Sequence, residues 1–254
     1  MPGHFTSSTL SFCLLLAATG TAVAGNADLP PSARYTACIE QARIDPKNAF
    51  EDAIAWQDMG GGAPAEHCAA SALITLGLFK DAAARLEDIA QRVNKSPAFK
   101  AQLLGQAAQG WLLGDLPARA EAVASAALKL TPGDVELLID RAQARAAMAD
   151  YKGALQDLNG ALIGNPRRAD ALTFRAAAKR FLDDPDGALI DVKAALEIDL
   201  NHSDALLERG ILRRLKGDDA GARADWLMVL SLAPDGPASD AARTNLEKMD
   251  VKVR

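Results

Sequence analysis

The sequence predicts an all-α solenoid of antiparallel helix pairs, and three observations carry this prediction. Only 5% of the 254 residues are aromatic and alanine and leucine dominate, a composition that favours closely packed helices. The C-terminal half superposes on itself at an offset of 34 residues, as Leu104 and Leu138 illustrate. Each copy holds two apolar stretches at helical spacing joined by a short turn. Because one helix pair cannot bury its apolar face, the copies are expected to stack.

The first 24 residues have the pattern of a secretory signal peptide. They contain no Lys, Arg, Asp or Glu, and the apolar run "LSFCLLLAATGTAVA" ends in Ala22, Val23 and Ala24. This predicts cleavage before Gly25 and export, with the periplasm as the expected compartment. Residues 25–32 are then a flexible linker. An uncleaved anchor is the alternative, although the apolar run is short for a membrane span.

Two cysteines remain after this cleavage, because Cys13 leaves with residues 1–24. Cys38 and Cys68 form an even pair in an oxidising compartment, which predicts a disulfide between them. Both fall in residues 33–96, which are interpreted as degenerate N-terminal helical repeats.

Two helices are predicted to open this region, over Tyr35–Ile44 and Pro46–Trp56. Asp45 before Pro46 suits a helix cap followed by a first-turn proline.

The stretch "MGGGAPAEHC", Met59–Cys68, is rich in groups that could carry chemistry. A phosphate loop would need a preceding strand and a Lys-Ser or Lys-Thr pair, which are missing. A structural zinc site would need about four Cys or His ligands. A Cys–His nucleophile pair is not expected either, because the adjacent His67 and Cys68 point about 100° apart on a helix. The stretch is therefore predicted to reverse the chain, with Ala63–Pro64 starting a third helix. An enzyme or metal-binding protein using residues 60–68 is kept as the alternative.

Residues 97–234 hold four copies of the repeat, in which bulky and small residues recur in a set order. A small residue lets antiparallel helices approach closely, and a proline after the second helix prevents its continuation. The recurring sets are Leu104, Leu138, Leu172 and Leu206; Ala108, Ala142, Ala176 and Gly210; Ala120, Ala154, Ala188 and Ala222; Leu128, Leu162, Leu196 and Leu230; and Pro132, Pro166, Leu200 and Pro234.

Charged residues follow the same period. Three arginines 34 residues apart are each followed by an aspartate 16 residues later, a spacing that predicts an ion pair between the two helices of one copy. The pairs are Arg141 with Asp157, Arg175 with Asp191, and Arg209 with Asp225.

At these positions the chain resembles the tetratricopeptide repeat family. The family order of bulky, small, alanine, bulky and proline is seen as Leu138, Ala142, Ala154, Leu158 and Pro166. An aromatic residue that the family often carries in the first helix is Trp111 in one copy, whereas the other copies have Arg145, Lys179 and Arg213. The last segment, residues 235–254, is predicted to be a capping helix and tail.

The resemblance implies a right-handed superhelix whose concave groove, lined by the first helix of each unit, binds a segment of another protein. Carried across the repeat register, the groove residues are Gln109, Leu112, Ile139, Gln143, Thr173, Ala177, Arg180, Leu207, Ile211 and Arg214. A family subset that clamps a C-terminal carboxylate uses Lys and Asn, and these residues do not match it, so recognition of a chain terminus is not expected. A binding surface keeps apolar area available, so three groove residues should be more exposed than the packed seam: Ile139, Leu207 and Ile211 against Leu138, Leu172 and Leu206.

The predicted function is that of a non-catalytic protein–protein interaction scaffold of the cell envelope. With 33 acidic and 28 basic residues, the chain lacks the basic footprint of a nucleic-acid-binding protein. This opposes the related 35-residue repeats that read RNA. No cofactor or metal is expected, and the partner is expected to be a protein or peptide.

Overall fold

The computed structural model describes residues 33–251, and the regular elements in this range are helices. The described chain divides into two compact units, residues 33–144 and residues 145–251. The predicted signal peptide with Cys13, the linker of residues 25–32 and the last three residues lie outside the described residues. Within residues 33–251, no helix combines the length and the apolar character needed to cross a membrane.

The first unit is a stack of helices in which sequential neighbours pack on each other. The predicted helix over Pro46–Trp56 is confirmed, and its start is capped by Asp45, whose carboxylate accepts a hydrogen bond from the Asn48 backbone N–H. The helices are α1 Ala33–Ile44, α2 Pro46–Trp56, α3 Gly62–Thr75, α4 Phe79–Arg92, α5 Pro97–Leu113, α6 Pro117–Leu130 and α7 Val135–Ala147, within which the unit boundary falls.

A disulfide between Cys38 on α1 and Cys68 on α3 joins the first and third helices, as predicted. Their Cα atoms are 6.1 Å apart, within the usual range for a bridge. Cys68 is fully buried and Cys38 is 7% exposed. Between α2 and α3 the predicted reversal is a π-helical turn over Gln57–Gly61.

The second unit continues the helix-pair pattern. Each helix packs on the next, α9 also contacts α11, and α13 packs on both α11 and α12. The helices are α8 Tyr151–Gly164, α9 Ala169–Phe181, α10 Pro185–Ile198, α11 Ser203–Leu215, α12 Asp219–Leu232 and α13 Pro237–Val251.

The turn inside each helix pair repeats with the sequence. A left-handed residue occurs at the same place in four copies, at Asp115, Ala149, Asp183 and Gly217, with φ between 59° and 86°. In three copies the next residue is an aspartate whose side chain accepts a hydrogen bond from a glycine backbone N–H three residues later. These caps satisfy a donor that would otherwise lack a partner at the helix start.

The predicted ion pairs are confirmed in two copies, and each contains a second cation. Asp191 is 2% exposed and accepts from Arg175 at 2.6 Å and from Lys179 at 2.7 Å. Asp225 is held in the same way, at 2.7 Å from Arg209 and 2.8 Å from Arg213.

In the remaining copy, for which the prediction pairs Arg141 with Asp157, Asp157 lies 2.8 Å from Arg145 and Arg141 donates to the Ser125 hydroxyl. The pairing of Arg141 with Asp157 stays a prediction. The cations that replace the family's aromatic residue therefore point inward to a buried carboxylate.

The copy that retains the aromatic residue has an apolar version of the same site. Ala107, Trp111 and Val123 occupy the three corresponding positions and are all buried. The three positions of one copy thus hold either an apolar triplet or a charged triplet, because a buried charge requires a partner.

Candidate functional site

The predicted binding surface is divided between the two units. Four of its residues lie in residues 33–144, on α5 and α7, and six lie in residues 145–251, on α9 and α11. These first helices contact one another within a unit, as α9 and α11 do.

In the first unit, a side-chain hydrogen bond joins α5 to α7. Gln109 donates to the Asp140 carboxylate at 3.1 Å, and Asp140 is 8% exposed. Leu112 packs against the apolar cluster of this unit, while Gln143 is half-buried. The predicted surface residues here are partly used in packing.

The expectation that Ile139 is more exposed than Leu138 is wrong. Ile139 is 3% exposed, whereas Leu138 is half-buried. Buried residues occur along α7 at Leu137, Ile139 and Ala142, and steps of two and three residues reach two sides of a helix. Because α7 is covered on two sides, Ile139 offers no apolar area to a partner.

A hydrogen-bonded relay in this unit was not predicted from the sequence. His67 on α3 lies between Tyr35 on α1 and Gln106 on α5, with both bonds at 2.9 Å. In the neutral ring, the Tyr35 hydroxyl donates to Nδ1 and Nε2 donates to the Gln106 side-chain oxygen. Burial lowers the pKa of His67, although the bond to Gln106 opposes this, and burial raises the pKa of Tyr35 to about 12. Burial therefore favours an uncharged His67.

The enzyme or metal-binding alternative loses its reactive group in this structure. Cys68 is bonded to Cys38, so it has no free thiolate to attack a substrate or bind a metal. Within residues 33–251, no group of three or more His, Cys, Asp or Glu residues is arranged to hold a metal ion.

In the second unit, two predicted surface residues of α9 are covered. Thr173 is 4% exposed and Ala177 is 9% exposed, and the Thr173 hydroxyl donates to the Ala169 backbone oxygen. Arg180, near the end of α9, forms a close ion pair with Glu208 of α11, at 2.5 Å. This ion pair ties α9 to α11.

The three remaining predicted residues lie on one face of α11. Leu207 and Ile211 are half-buried, whereas Leu206 is 4% exposed and Leu172 is 6% exposed. The expected order of exposure is thus confirmed for this unit. Arg214 is also half-buried and completes the face, since residues at i, i+4 and i+7 align on a helix.

Arg214 reaches the carboxyl end of α13. It donates to the backbone oxygens of Asn245, at 3.2 Å, and Lys248, at 3.4 Å. The Lys248 oxygen belongs to the last turn of α13, where backbone oxygens carry partial negative charge. Arg214 therefore holds the last helix in place through its backbone.

The sequence contains a signal for two further surface positions that the predicted groove omits. Asn245 follows Ile211 by 34 residues, and Lys248 follows Arg214 by 34 residues. Since α13 packs on α11 as α11 packs on α9, α13 occupies the place of another first helix. The repeat register thus extends into the segment that the sequence predicts as a cap.

No protein-family model matches the sequence, and no curated protein matches it. Solved structures do match. TTC0263, described as a thermophilic TPR protein in Thermus thermophilus, is 20% identical with a TM-score of 0.59, over 70% of this chain and 95% of that chain. YrrB, described as a TPR protein with an unusual peptide-binding site, is 18% identical with a TM-score of 0.51, over 77% of this chain and 98% of that chain.

A third structure, MamA from Desulfovibrio magneticus RS-1 beginning at residue 41, is 21% identical with a TM-score of 0.54, over 64% of this chain and 90% of that chain. At these identities the likeness shows the fold, which is the helix-pair solenoid of tetratricopeptide repeat proteins.

Proposed function

We propose that the protein is a non-catalytic interaction scaffold of the cell envelope, which binds a segment of another protein on the first helices of its repeats. The observation that carries the proposal is the face of α11, where Leu207 and Ile211 keep apolar area half-exposed beside the cation of Arg214. Apolar area held open next to a charge is typical of a surface that binds a partner.

Two further observations support this proposal. YrrB, which shares the fold, is described as having a peptide-binding site. The described helices are accounted for by repeat pairs and a final helix, and folds of this kind offer extended surfaces rather than enclosed cavities.

The proposed compartment rests on the signal-like segment of residues 1–24 and on the disulfide between Cys38 and Cys68. Disulfides persist in oxidising compartments such as the periplasm. If the protein is exported, its mature form should begin at Gly25 in N-terminal sequencing. A mature form that retains Met1 would contradict export.

The binding proposal is tested by co-purification from an envelope fraction, with substitutions on the α11 face. Leu207→Glu and Ile211→Glu should each abolish partner capture while the circular dichroism spectrum stays unchanged, because a carboxylate on the contact surface must lose its water. Ile190→Glu is the matched control, since Ile190 is an apolar residue on a second helix and is 69% exposed. Equal capture by all three variants and the unmodified protein would overturn the proposal.

A further inference from the structure

The α11 face, defined as Leu207, Ile211 and Arg214 together with Lys248 of α13, differs in charge from its surroundings. Arginines elsewhere on the first helices of this unit are neutralised by carboxylates. Arg180, for example, pairs with Glu208. Arg214 donates hydrogen bonds to backbone oxygens and lies 6.0 Å from the centre of the Trp226 ring, and no carboxylate within residues 33–251 forms an ion pair with Arg214 or Lys248. Two positive charges therefore remain without an anion, and that of Arg214 lies one helical turn from Ile211.

The charges on this face are also distributed unevenly along the axis of α11. Asp204 lies near the start of α11, and Arg214 lies ten residues later, about 15 Å along the helix axis. A carboxylate that has its own interaction partner lies at one end, and the positive charges of Arg214 and Lys248 lie at the other. Between them Leu207 and Ile211 form the apolar part. A partner that fits this order places its apolar side chain on the middle of α11 and its negative charge at the α13 end.

We propose that the α11 face recognises an acidic segment of a partner protein, in which an apolar side chain packs on Leu207 and Ile211 and a side-chain carboxylate pairs with Arg214 and Lys248. The inference rests on the proposed function and specifies the chemistry of the bound segment. A purely apolar segment would cover the two cations without pairing them, which costs free energy. A basic segment would add charge of the same sign and would be repelled.

The binding of four synthetic peptides tests this chemistry by fluorescence polarisation. All four have amidated C-termini, so that only side-chain carboxylates are present. One alternates leucine with aspartate, the second leucine with asparagine, the third leucine with lysine and the fourth glycine with aspartate. The leucine–aspartate peptide should bind at least about tenfold more tightly than each of the others, and raising the salt concentration should weaken it.

Substitutions then locate the site. Arg214→Gln and Lys248→Gln should each weaken binding of the leucine–aspartate peptide by about fivefold to tenfold, in the range of a charge-assisted hydrogen bond. Because Arg214 also holds the end of α13, Lys248→Gln provides the cleaner variant, since the Lys248 side chain is exposed. Arg243→Gln on the same helix is the matched control, because Arg243 already pairs with Asp240, and it should leave binding unchanged.

The outcomes separate this inference from the proposed function. Failure of the leucine–aspartate peptide to bind up to about 1 mM, or equal binding of the leucine–asparagine peptide, overturns the inference. Capture of an envelope partner that Ile211→Glu abolishes but Lys248→Gln does not would leave the scaffold function standing and reject the acidic segment. If the free protein is a dimer that Leu207→Glu dissociates, a second copy covers the face and the inference is wrong.

Discussion

The left-handed residue of each turn shows how one position can be strained in one copy and relaxed in another. Ala149 and Gly217 lie two repeat periods of 34 residues apart, at positions that share the same turn geometry, with φ of 61° and 86°. An alanine in this region has its Cβ close to its own backbone, whereas glycine avoids the clash. The same backbone therefore carries a cost at Ala149 that is missing at Gly217.

Ala149→Gly should raise the free energy of unfolding by about 0.5 to 1 kcal/mol, and Gly217→Ala should lower it by about 1 kcal/mol. Chemical denaturation monitored by circular dichroism measures both changes. Opposite signs are the expected signature, and a loss of stability in both variants would show that turn strain is not the deciding factor.

The relay around His67 gives the protein a specific pH dependence. Burial lowers the pKa of His67 in the folded state, so the folded chain binds fewer protons than the unfolded chain once the pH falls below about 6.5, the ordinary value for histidine. The contribution of His67 to stability is therefore complete above about pH 6.5 and is lost as the pH decreases through the lowered folded-state pKa.

His67→Gln should reduce this dependence. Thermal unfolding followed between about pH 7.5 and about pH 5 should show a smaller decrease in melting temperature for His67→Gln than for the unmodified protein. Identical pH profiles would mean that other groups dominate acid unfolding. The His202→Gln variant is the control, because His202 caps the start of α11 and takes no part in the relay.

At the scale of helix pairs, the charged triplets act as units. Asp191 is buried between Arg175 and Lys179, so removing the carboxylate alone leaves two cations without their counter-charge. Asp191→Val should lower the free energy of unfolding by about 3 to 5 kcal/mol. Chemical denaturation provides the value.

The apolar triplet of Ala107, Trp111 and Val123 shows that the same site can exist without charge. Adding Arg175→Ala and Lys179→Met to Asp191→Val should therefore recover at least half of the lost stability, since an apolar replacement of a whole buried ion cluster is often neutral. A triple variant as unstable as the single one would show that the charges determine the packing of α9 against α10.

At the scale of the whole molecule, the disulfide connects α1 to α3, which are separated in sequence by α2. The bond between Cys38 and Cys68 closes a loop of 30 residues, and in the chain-entropy model such a loop is worth about 3 to 4 kcal/mol. Replacing both cysteines with alanine should lower the free energy of unfolding by about 3 kcal/mol. The matching measurement is the free energy of unfolding of the unmodified protein in a denaturant series that contains a reductant. If the loss on reduction differs from the loss in the double variant, strain or packing rather than chain entropy is responsible.

Several features of this protein follow from the sequence alone because their causes are local or periodic. The 34-residue spacing places a small residue and a turn at the same points of every copy, which determines the helix pairs. Asp45 followed by a proline sets the start of α2, and two cysteines in a chain with a signal-like start indicate the bridge.

The faces of the helices depend on tertiary structure, because burial is decided by what packs on both sides. Ile139 and Leu207 occupy equivalent positions in the repeat, but α7 is covered around Ile139, which is 3% exposed, while Leu207 stays half-buried.

Gly210 stands where other copies have alanine because a Cβ there would overlap the indole of Trp226, a compensation between two helices that no single stretch of sequence reveals. The partners of Arg214 likewise emerge only when α13 packs on α11, since its bonds are to backbone oxygens whose positions no side-chain pattern encodes.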